Sequence, residues 1–434
     1  MRRSVGLDLG TTNSALAVAD DEGRVTLARF PHAGGLTDTF RSILYFHPDA
    51  ADERRAITSV AGTTAIERYL DADGTGRLIQ SLKSYLADRS FDSTNVFGRV
   101  YSLVELLSFL VRALRTRAEE QLGALGPRIV VGRPVHFSSG RGDEDDAFAE
   151  SRLRAAIAAA GFEEIVFEYE PVAAAYYYES RLDHDELVLI ADFGGGTSDF
   201  SLVRVGPGAR KSAAAAGGAN RILGTDGVGI AGDALDAKIL HNLVSPSLGL
   251  GSTYRSMLGK DLAAPVWLYA RLRRWHLLSF LKSKKTMELL QEMVDQANEP
   301  EKMRALLALV ENDLAYHLYR AVERAKVDLS TRDATRFSFV EPPVHIEHPL
   351  TRAQFDGWIS EETSAMAECV DRLLGRAGVS ARDVDRVFMT GGTSFVPAVR
   401  ALFDTRFGAG RIEAGGEMIS VASGLALRAR ELGR

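Results

Sequence analysis

The stretch "ADFGGGTSDF", residues 191–200, sets an acidic residue, three glycines and a threonine between two apolar runs. Taken alone, these residues fit a structural turn as well as a phosphate-binding turn. The run before it, "ELVLIADF", and the run after it, "DFSLVRV", are rich in strand-forming residues. The stretch is therefore predicted to be the turn of a β-hairpin, and its role depends on the rest of the chain.

A second hairpin, near the start of the chain, repeats this pattern. When "DLGTTNSALAV" is aligned without gaps to "DFGGGTSDFSLV", three positions coincide: Asp8 with Asp192, Gly10 with Gly194, and Ser14 with Ser198. Such a repeat indicates two lobes of common design whose turns face one another across a cleft. Glycine lets the backbone bring N–H groups close to phosphate oxygens, since no Cβ intervenes. The pair of turns predicts a triphosphate site, with hydroxyl donors at Thr11, Thr12 and Thr197.

Asp8 and Asp192, at the strand ends, are candidate ligands for Mg²⁺. We expect them to act through water, because Mg²⁺ keeps most of its hydration shell and takes few direct carboxylate ligands. A third glycine turn, "TGGTSFVP", places Gly391 and Gly392 at a strand-to-helix junction, where a helix N-terminus favours an anion or a nucleotide. An ordinary helix N-cap is the alternative for this turn.

The chain alternates between predicted helices and strands, which is typical of an α/β fold. Helices are predicted in "YSLVELLSFLVRALRTRAEEQLGALG", "ESRLRAAIAAAG" and "PVAAAYYYESRL", and strands in "RIVVGRPVHF" and "EIVFEYE". The stretch "GPGARKSAAAAGGAN", residues 206–220, is predicted to be a loose loop. Long amphipathic helices are predicted from about residue 234 to 330.

Length and composition indicate a globular protein of at least two domains. The 434 residues are 46% apolar and 25% charged, and no apolar stretch is long enough to span a bilayer. A net charge of -6 provides no field that attracts a polyanion, so nucleic acid is not expected as a partner. A membrane is not expected as a partner either. The start, "MRRSVGLDLGTT", fails as a secretory signal, so we expect a cytoplasmic location. The single cysteine, Cys369, is predicted to be a packed thiol.

Five segments, in this order, resemble the ATPase domain of the heat-shock protein 70 (DnaK-like) family: "GLDLGTTNS", "EPVAAA", "ADFGGGTSDFSLV", "ERAKVDLS" and "MTGGTSFVPAV". The resemblance implies an α/β, actin-like ATPase fold. Its two lobes would each be built on a mixed five-stranded sheet with helices, with ATP or ADP and Mg²⁺ in the cleft between them. The implied first lobe is residues 1–180, with a smaller subdomain at about 39–97. The second is 181–434, with a largely helical subdomain at about 222–355.

The resemblance also implies roles for individual residues. Those implied to hold the phosphates are Gly10, Thr11, Thr12, Asn13, Gly194, Gly195, Gly196, Thr197 and Gly232. Those implied to contact the rest of the nucleotide are Glu323, Lys326, Ser330, Gly391, Gly392, Thr393 and Phe395. The hydrated Mg²⁺ would lie beside Asp8, Glu170 and Asp192. Lys83 would neutralise charge on the transferring phosphoryl group, Asp199 would orient the attacking water, and the implied catalytic set is Asp8, Lys83, Glu170, Asp192, Thr197 and Asp199.

Two positions depart from the family pattern. Val327 stands where the family has an arginine that stacks on adenine, and Phe395 stands where a second arginine follows the third glycine turn. An aromatic face also stacks on a purine, so base binding is expected to persist with altered geometry.

The chain is expected to lack a peptide-binding domain. In this respect it resembles the short YegD-like branch of the family. The expected function is slow, Mg²⁺-dependent ATP hydrolysis by a monomer in protein folding or quality control, with unfolded protein or co-chaperones as partners. A nucleotide-gated adaptor with little hydrolysis, a small-molecule kinase of the same superfamily and an actin-like filament stay open. The helical insertion at 237–319, which includes Trp267 and Trp275, is either a partner surface or an ordinary core face.

Overall fold

The computed structural model describes residues 3–32, 35–48, 57–72, 76–138, 140, 142–215, 221–256, 259–273, 281–414 and 419–433. The chain forms two compact units, one made of Met1–Gly232 with Ser364–Arg434 and the other of Asp233–Thr363. Trp275 lies outside the described residues. The lobe boundaries expected from the sequence stay predictions.

The first unit contains two mixed sheets of the same topology. In the first sheet the strands lie in the order Glu164–Tyr169, Arg128–Arg133, Ser4–Asp8, Asn13–Ala19 and Val25–Leu27. In the second sheet the order is Ile412–Ala414, Arg386–Thr390, Glu186–Phe193, Ser198–Val205 and Ile222–Val228. In both, the first three strands are parallel neighbours and the last three are antiparallel. The first sheet has one more short strand, Phe40–Arg41, beside Asn13–Ala19.

The central hairpins of the two sheets pair in the same register. Asp8 lies opposite Ala15, and Asp192 lies opposite Asp199. The acidic residue therefore occupies the same position in each hairpin, as the ungapped alignment predicts. The repeat in the sequence is a repeat of the fold.

Helices cover the two sheets of the first unit, and those predicted after residues 101, 150 and 170 are confirmed. The helices are Thr63–Asp71, Leu103–Leu122, Asp143–Ala159, Glu170–Glu179, Pro207–Ala215, Pro397–Phe407 and Ser420–Leu432, and Ser360–Ala377 enters the unit from the other one. Short helical turns occur at Leu82–Tyr85, Ala381–Asp383, Gly392–Phe395 and Ala409–Arg411. Small strands complete the unit at Phe30–His32, Gly35–Thr37, Ile43–Pro48, Ile57–Ala61, Arg77–Gln80, Ser93–Val96 and Arg99–Ser102.

The prediction of a loose loop at residues 206–220 is wrong for the described part of this segment, which forms the helix Pro207–Ala215. Proline is tolerated at the first position of a helix, because its missing N–H would have no partner there. The alanines that follow have the highest intrinsic helix propensity. Local propensity therefore outweighs the flanking glycines.

The last helix, Ser420–Leu432, packs at the centre of the first unit. Ala422 and Ala426 contact the alanines of the strand Asn13–Ala19, and Val421 and Leu425 join a core shared with the helix Glu170–Glu179. Cys369 is buried, as predicted for a packed thiol.

The second unit is mainly helical. Its helices are Gly232–Ile239, Leu240–Val244, Ser245–Ser247, Val266–Leu272, Lys284–Gln296, Pro300–Glu311, Ala315–Thr331 and Arg352–Trp358, and the first of them starts at the residue before the second unit begins. Two hairpins, Thr253–Arg255 with Asp261–Ala263 and Ala334–Glu341 with Val344–Thr351, accompany them. The long helices predicted for this part of the sequence are confirmed. In the described part of the chain, no helix is long and apolar enough to cross a membrane.

Candidate functional site

The first glycine turn, residues 10–13, is held by a serine from a distant segment. Ser42 donates its hydroxyl to the Gly10 carbonyl at 2.8 Å and its N–H to the Thr12 carbonyl at 2.9 Å. A Cβ placed on Gly10 would lie 2.0 Å from the Asn13 carbonyl oxygen, so the turn requires glycine at this position. Ser42 therefore fixes the backbone of this turn through two of its carbonyl oxygens.

The second glycine turn, residues 194–197, faces the first. The Gly194 N–H donates to the Thr197 carbonyl at 2.9 Å and closes the turn, in which Gly195 is half-buried. A Cβ placed on Gly196 would lie 3.7 Å from the hydroxyl oxygen of Thr11. The Gly232 N–H is 3.5 Å from the Gly194 carbonyl, so Gly232 also lies beside this turn, and its contact with phosphate stays a prediction.

Lys83 and Glu170 form a buried ion pair. Lys83 lies on the turn Leu82–Tyr85, and its Nζ is 2.5 Å from Glu170 Oε1, with the two side chains 10% and 8% exposed. Burial acts to lower the pKa of Lys83, but the carboxylates of Glu170 and Asp8 outweigh it and raise that pKa above its usual value. Lys83 is therefore a permanent positive charge. A Cβ on Gly132 would lie 3.0 Å from Glu170 Cγ, so this glycine makes room for the pair.

Asp192 and Asp199 are buried opposite one another on the second hairpin. Asp192 Oδ1 accepts a hydrogen bond from the Thr390 hydroxyl at 2.8 Å, and Asp199 Oδ1 accepts one from the Val135 N–H at 2.7 Å. Burial, and then the negative charge of Glu170, raise the pKa of Asp192 to about 7 and that of Asp199 to about 8. The same two causes raise the pKa of Asp8 well above its usual range.

We call Asp8, Lys83, Glu170, Asp192 and Asp199 the charged cluster. Four carboxyl groups and one ammonium lie together, and oxygen donors of this kind suit a hard cation such as Mg²⁺. In the described part of the protein, no group of three or more His, Cys, Asp or Glu side chains is arranged to bind a metal directly. The carboxyl oxygens of Asp8 and Asp192 fit the oxygen donors that Mg²⁺ prefers, and binding through water stays a prediction.

The residues expected to contact adenosine lie on the helix Ala315–Thr331 of the second unit. Lys326 Nζ is 2.8 Å from Asp236 Oδ1, and the Ser330 hydroxyl donates to the Lys326 carbonyl at 3.1 Å. Glu323 is exposed, and Val327 is 59% exposed. The contacts of these residues to a nucleotide stay predictions.

The third glycine turn lies between the strand Arg386–Thr390 and the helix Pro397–Phe407. Gly391 has a φ of 84°, and a Cβ there would lie 1.9 Å from the Phe193 carbonyl oxygen, so close packing on the neighbouring strand requires this glycine. Gly392 meets no such obstacle, Thr393 is buried, and Phe395 is 53% exposed. Phe395 is thus available to a ligand, while Gly391 has a structural reason to be glycine.

Sequence reasoning missed the residues that support the site from a distance, namely Ser42, Val135 and Thr390. A signal existed for Thr390, because it ends the strand that was predicted before the third glycine turn. In the structure, Thr390 is the parallel partner of Asp192. No local pattern marks Ser42 or Val135.

Comparison with known proteins identifies the family of the chain. A family model described as Hsp70 protein matches residues 78–244 and 289–432. The chain is 26% identical over 411 residues to a "Chaperone protein DnaK" of Thermosipho melanesiensis, which covers 93% of this chain and 55% of that protein. It is 25% identical, with the same coverage, to a "Chaperone protein DnaK" of Thermosipho africanus. The chain spans about half the length of these curated relatives.

Proposed function

Because the chain belongs to the Hsp70 family, we propose that it binds ATP with Mg²⁺ and hydrolyses the ATP slowly to ADP and phosphate. Its fold is the actin-like ATPase fold of that family, α/β with two mixed sheets, as expected from the sequence. The observation that carries the proposal is the approach of the two glycine turns beside the charged cluster. Phosphoryl transfer asks for positioning and charge neutralisation more than for covalent chemistry, and this arrangement supplies both.

The proposed roles follow from the positions of the side chains. The backbone N–H groups of the two turns, with the hydroxyls of Thr11 and Thr197, would bind phosphate oxygens. Lys83, charged and held by Glu170, would stabilise negative charge on the transferring phosphoryl group. Asp199, fixed by the Val135 N–H, would orient the attacking water. When bound, Mg²⁺ would supply further positive charge beside Asp8 and Asp192.

The cellular role belongs to the same proposal. The names of the DnaK relatives support a chaperone-type ATPase that acts in protein folding or quality control, with unfolded protein or co-chaperones as partners. We propose a monomer in the cytoplasm.

A nucleotide-gated adaptor with little hydrolysis is the second candidate. It is favoured by Val327 and Phe395, which replace two arginines expected at the base and are 59% and 53% exposed. The two functions share the nucleotide site and differ in turnover.

One experiment separates these functions. Purified protein is incubated with ATP and Mg²⁺, and phosphate release is measured with and without an unfolded peptide. Release that is independent of peptide supports an ATPase that works alone, and release stimulated by peptide supports a chaperone cycle. Binding of ATP without release would favour the adaptor, and release only with a small hydroxylated metabolite would favour a kinase.

Lys83→Ala tests the catalytic part of the proposal. We expect phosphate release to fall by about a hundredfold, the usual cost of removing one group that stabilises transition-state charge, while ATP still binds. The matched control is Lys284→Ala, because the Lys284 side chain is 92% exposed. Thermal unfolding of each variant shows that it is folded. Unchanged hydrolysis in folded Lys83→Ala would remove Lys83 from the mechanism.

A further inference from the structure

Arg152 is a buried arginine that no sequence motif singles out. It lies on the helix Asp143–Ala159, and 7% of it is exposed. Its guanidinium donates to four backbone carbonyls and one carboxylate: those of Tyr85 at 3.2 Å, Leu86 at 3.1 Å, Asp88 at 3.1 Å and Phe91 at 2.6 Å, and Asp92 Oδ1 at 3.1 Å. One side chain therefore holds the whole segment that follows Lys83.

The charge of Arg152 is balanced mainly by carbonyl oxygens. The carboxylate that it hydrogen-bonds belongs to Asp92, whose side chain is 87% exposed, and the charge of Arg152 also helps to lower the pKa of Asp88. Burying a guanidinium costs solvation free energy that an exposed partner does not recover. A planar group with five donors can satisfy several carbonyls at once, and a lysine ammonium cannot reproduce that geometry. The position therefore requires the shape of arginine and not only its charge.

The segment that carries Lys83 is also constrained at its other end. Ser81, which precedes the turn Leu82–Tyr85, has a φ of 55° and is 1% exposed. A left-handed backbone at a residue other than glycine persists only where the surroundings impose it. The turn with Lys83 is thus fixed on both sides.

We infer that Arg152 is a positioning residue for Lys83: its hydrogen bonds to the carbonyls of residues 85, 86, 88 and 91 fix the backbone that sets the Lys83 ammonium against Glu170. The catalytic consequence rests on the proposed function, because it requires that Lys83 act on a phosphoryl group. The structural consequence does not, because the position of Lys83 can be measured without nucleotide.

The kinetic test uses Arg152→Lys, which keeps the charge, and Arg152→Met, which removes it. We expect kcat for phosphate release to fall by about tenfold or more with little change in KM, since a displacement near 1 Å can cost about a hundredfold. In a Lys83→Ala background, Arg152→Lys should cause no further loss. The control is Arg154→Met on the same helix, because Arg154 is 48% exposed and donates to the Ile165 carbonyl instead. An equal loss in both backgrounds would overturn the inference in favour of a general structural role.

The second test is chemical labelling of lysines without nucleotide, read by mass spectrometry. Lys83 is 10% exposed in its ion pair, so it should react slowly in the natural protein and at least several-fold faster in Arg152→Lys. The exposed Lys284 should react equally in both. Unchanged labelling of Lys83 would overturn the inference. If the natural protein releases no phosphate, the proposed function fails, and the labelling result alone decides whether Arg152 fixes Lys83.

Discussion

The acidic side chains of the charged cluster lie where burial opposes their ionisation. Desolvation is the largest cause of the raised pKa of Asp8, Asp192 and Asp199, and repulsion from Glu170 comes next. The one lysine of the cluster does not cancel these effects. Binding of a cation at such a site is favoured, because the cation reduces the repulsion between the carboxylates.

The variant Asp192→Asn tests how much the ionisation of buried Asp192 lowers the free energy of unfolding. The pKa of Asp192 is about 7 in the folded protein against a usual 3.8, so the folded state holds the proton more tightly and stability falls as pH rises from about 4 to about 7. The uncharged amide avoids this loss. We expect Asp192→Asn, in EDTA, to gain on the order of a few kcal/mol over the natural protein at pH 8, and clearly less at pH 5.

The measurement is denaturant unfolding at both pH values. Asp183→Asn is the control, because the Asp183 side chain is 97% exposed. A gain that is equal at pH 5 and pH 8 would contradict the raised pKa of Asp192. In the same variant, the Mg²⁺ dependence of nucleotide binding should weaken.

Phe395→Ala tests the base side of the nucleotide. If the exposed ring stacks on adenine, its loss should weaken ATP binding by about 1–3 kcal/mol, the usual value for a base on an aromatic ring. Binding of inorganic tripolyphosphate should not change, because it has no base. Calorimetry with both ligands provides the comparison, and Phe97→Ala is the control, since Phe97 is exposed elsewhere on the first unit. Equal losses for both ligands would show that Phe395 acts on the phosphates or on the fold.

The residues proposed to contact the ligand were predictable from the sequence, and the residues that hold those side chains in place were not. Asp8 and Asp192 stand out because the chain repeats their surroundings. Ser42, Thr390 and Arg152 act through contacts with residues far away in the sequence, such as the bond between Thr390 and Asp192. Only the folded chain brings such pairs together.

At the scale of elements, the helix Ser420–Leu432 joins the parts of the first unit through small residues. A Cβ on Gly424 would lie 1.7 Å from the Ala173 carbonyl oxygen of the helix Glu170–Glu179. A Cβ on Gly6 would lie 2.3 Å from the Ala426 nitrogen. Because Glu170 begins one of these helices, their spacing also sets the position of the Lys83 partner.

Gly424→Ala should therefore force the two helices apart. Overpacking of this kind costs about 1–3 kcal/mol, and the displaced Glu170 should also lower phosphate release. The control is Gly375→Ala on the helix Ser360–Ala377, where no atom lies within 4 Å of the added Cβ and alanine is the better helix former. Denaturant unfolding of both variants gives the comparison. A Gly424→Ala protein as stable as the natural one would mean that the helix contact adapts without cost.

For hairpins and long amphipathic helices, the sequence predicts correctly whether the element is a strand or a helix. Their apolar periodicity extends over whole elements, and turn residues mark their ends. The helix Pro207–Ala215 was missed because glycine, proline and serine around an alanine run are typical of loops too. The helix propensity of its alanines determines the structure of that segment, and its sequence has no amphipathic pattern that would indicate a helix.

At the scale of the whole molecule, the two sheets of one topology carry two equivalent hairpins, and we propose that both hairpins contact one ligand. A fold of this design gains stability whenever its ligand binds the folded state alone. The size of the gain depends on the ligand concentration relative to Kd, and not on catalysis. Binding and turnover are therefore separable by measuring unfolding.

ATP with Mg²⁺ should raise the melting temperature of the natural protein by a few degrees. At a hundred times Kd the gain is about 2.7 kcal/mol, and each kcal/mol moves the transition of a large domain by about 2–4 °C or less. Lys83→Ala should keep this shift, since it removes a catalytic charge and leaves the glycine turns in place. EDTA should remove most of the shift. Absence of any shift at millimolar ATP and Mg²⁺, in a protein that unfolds cooperatively, would contradict nucleotide binding and with it the proposed function.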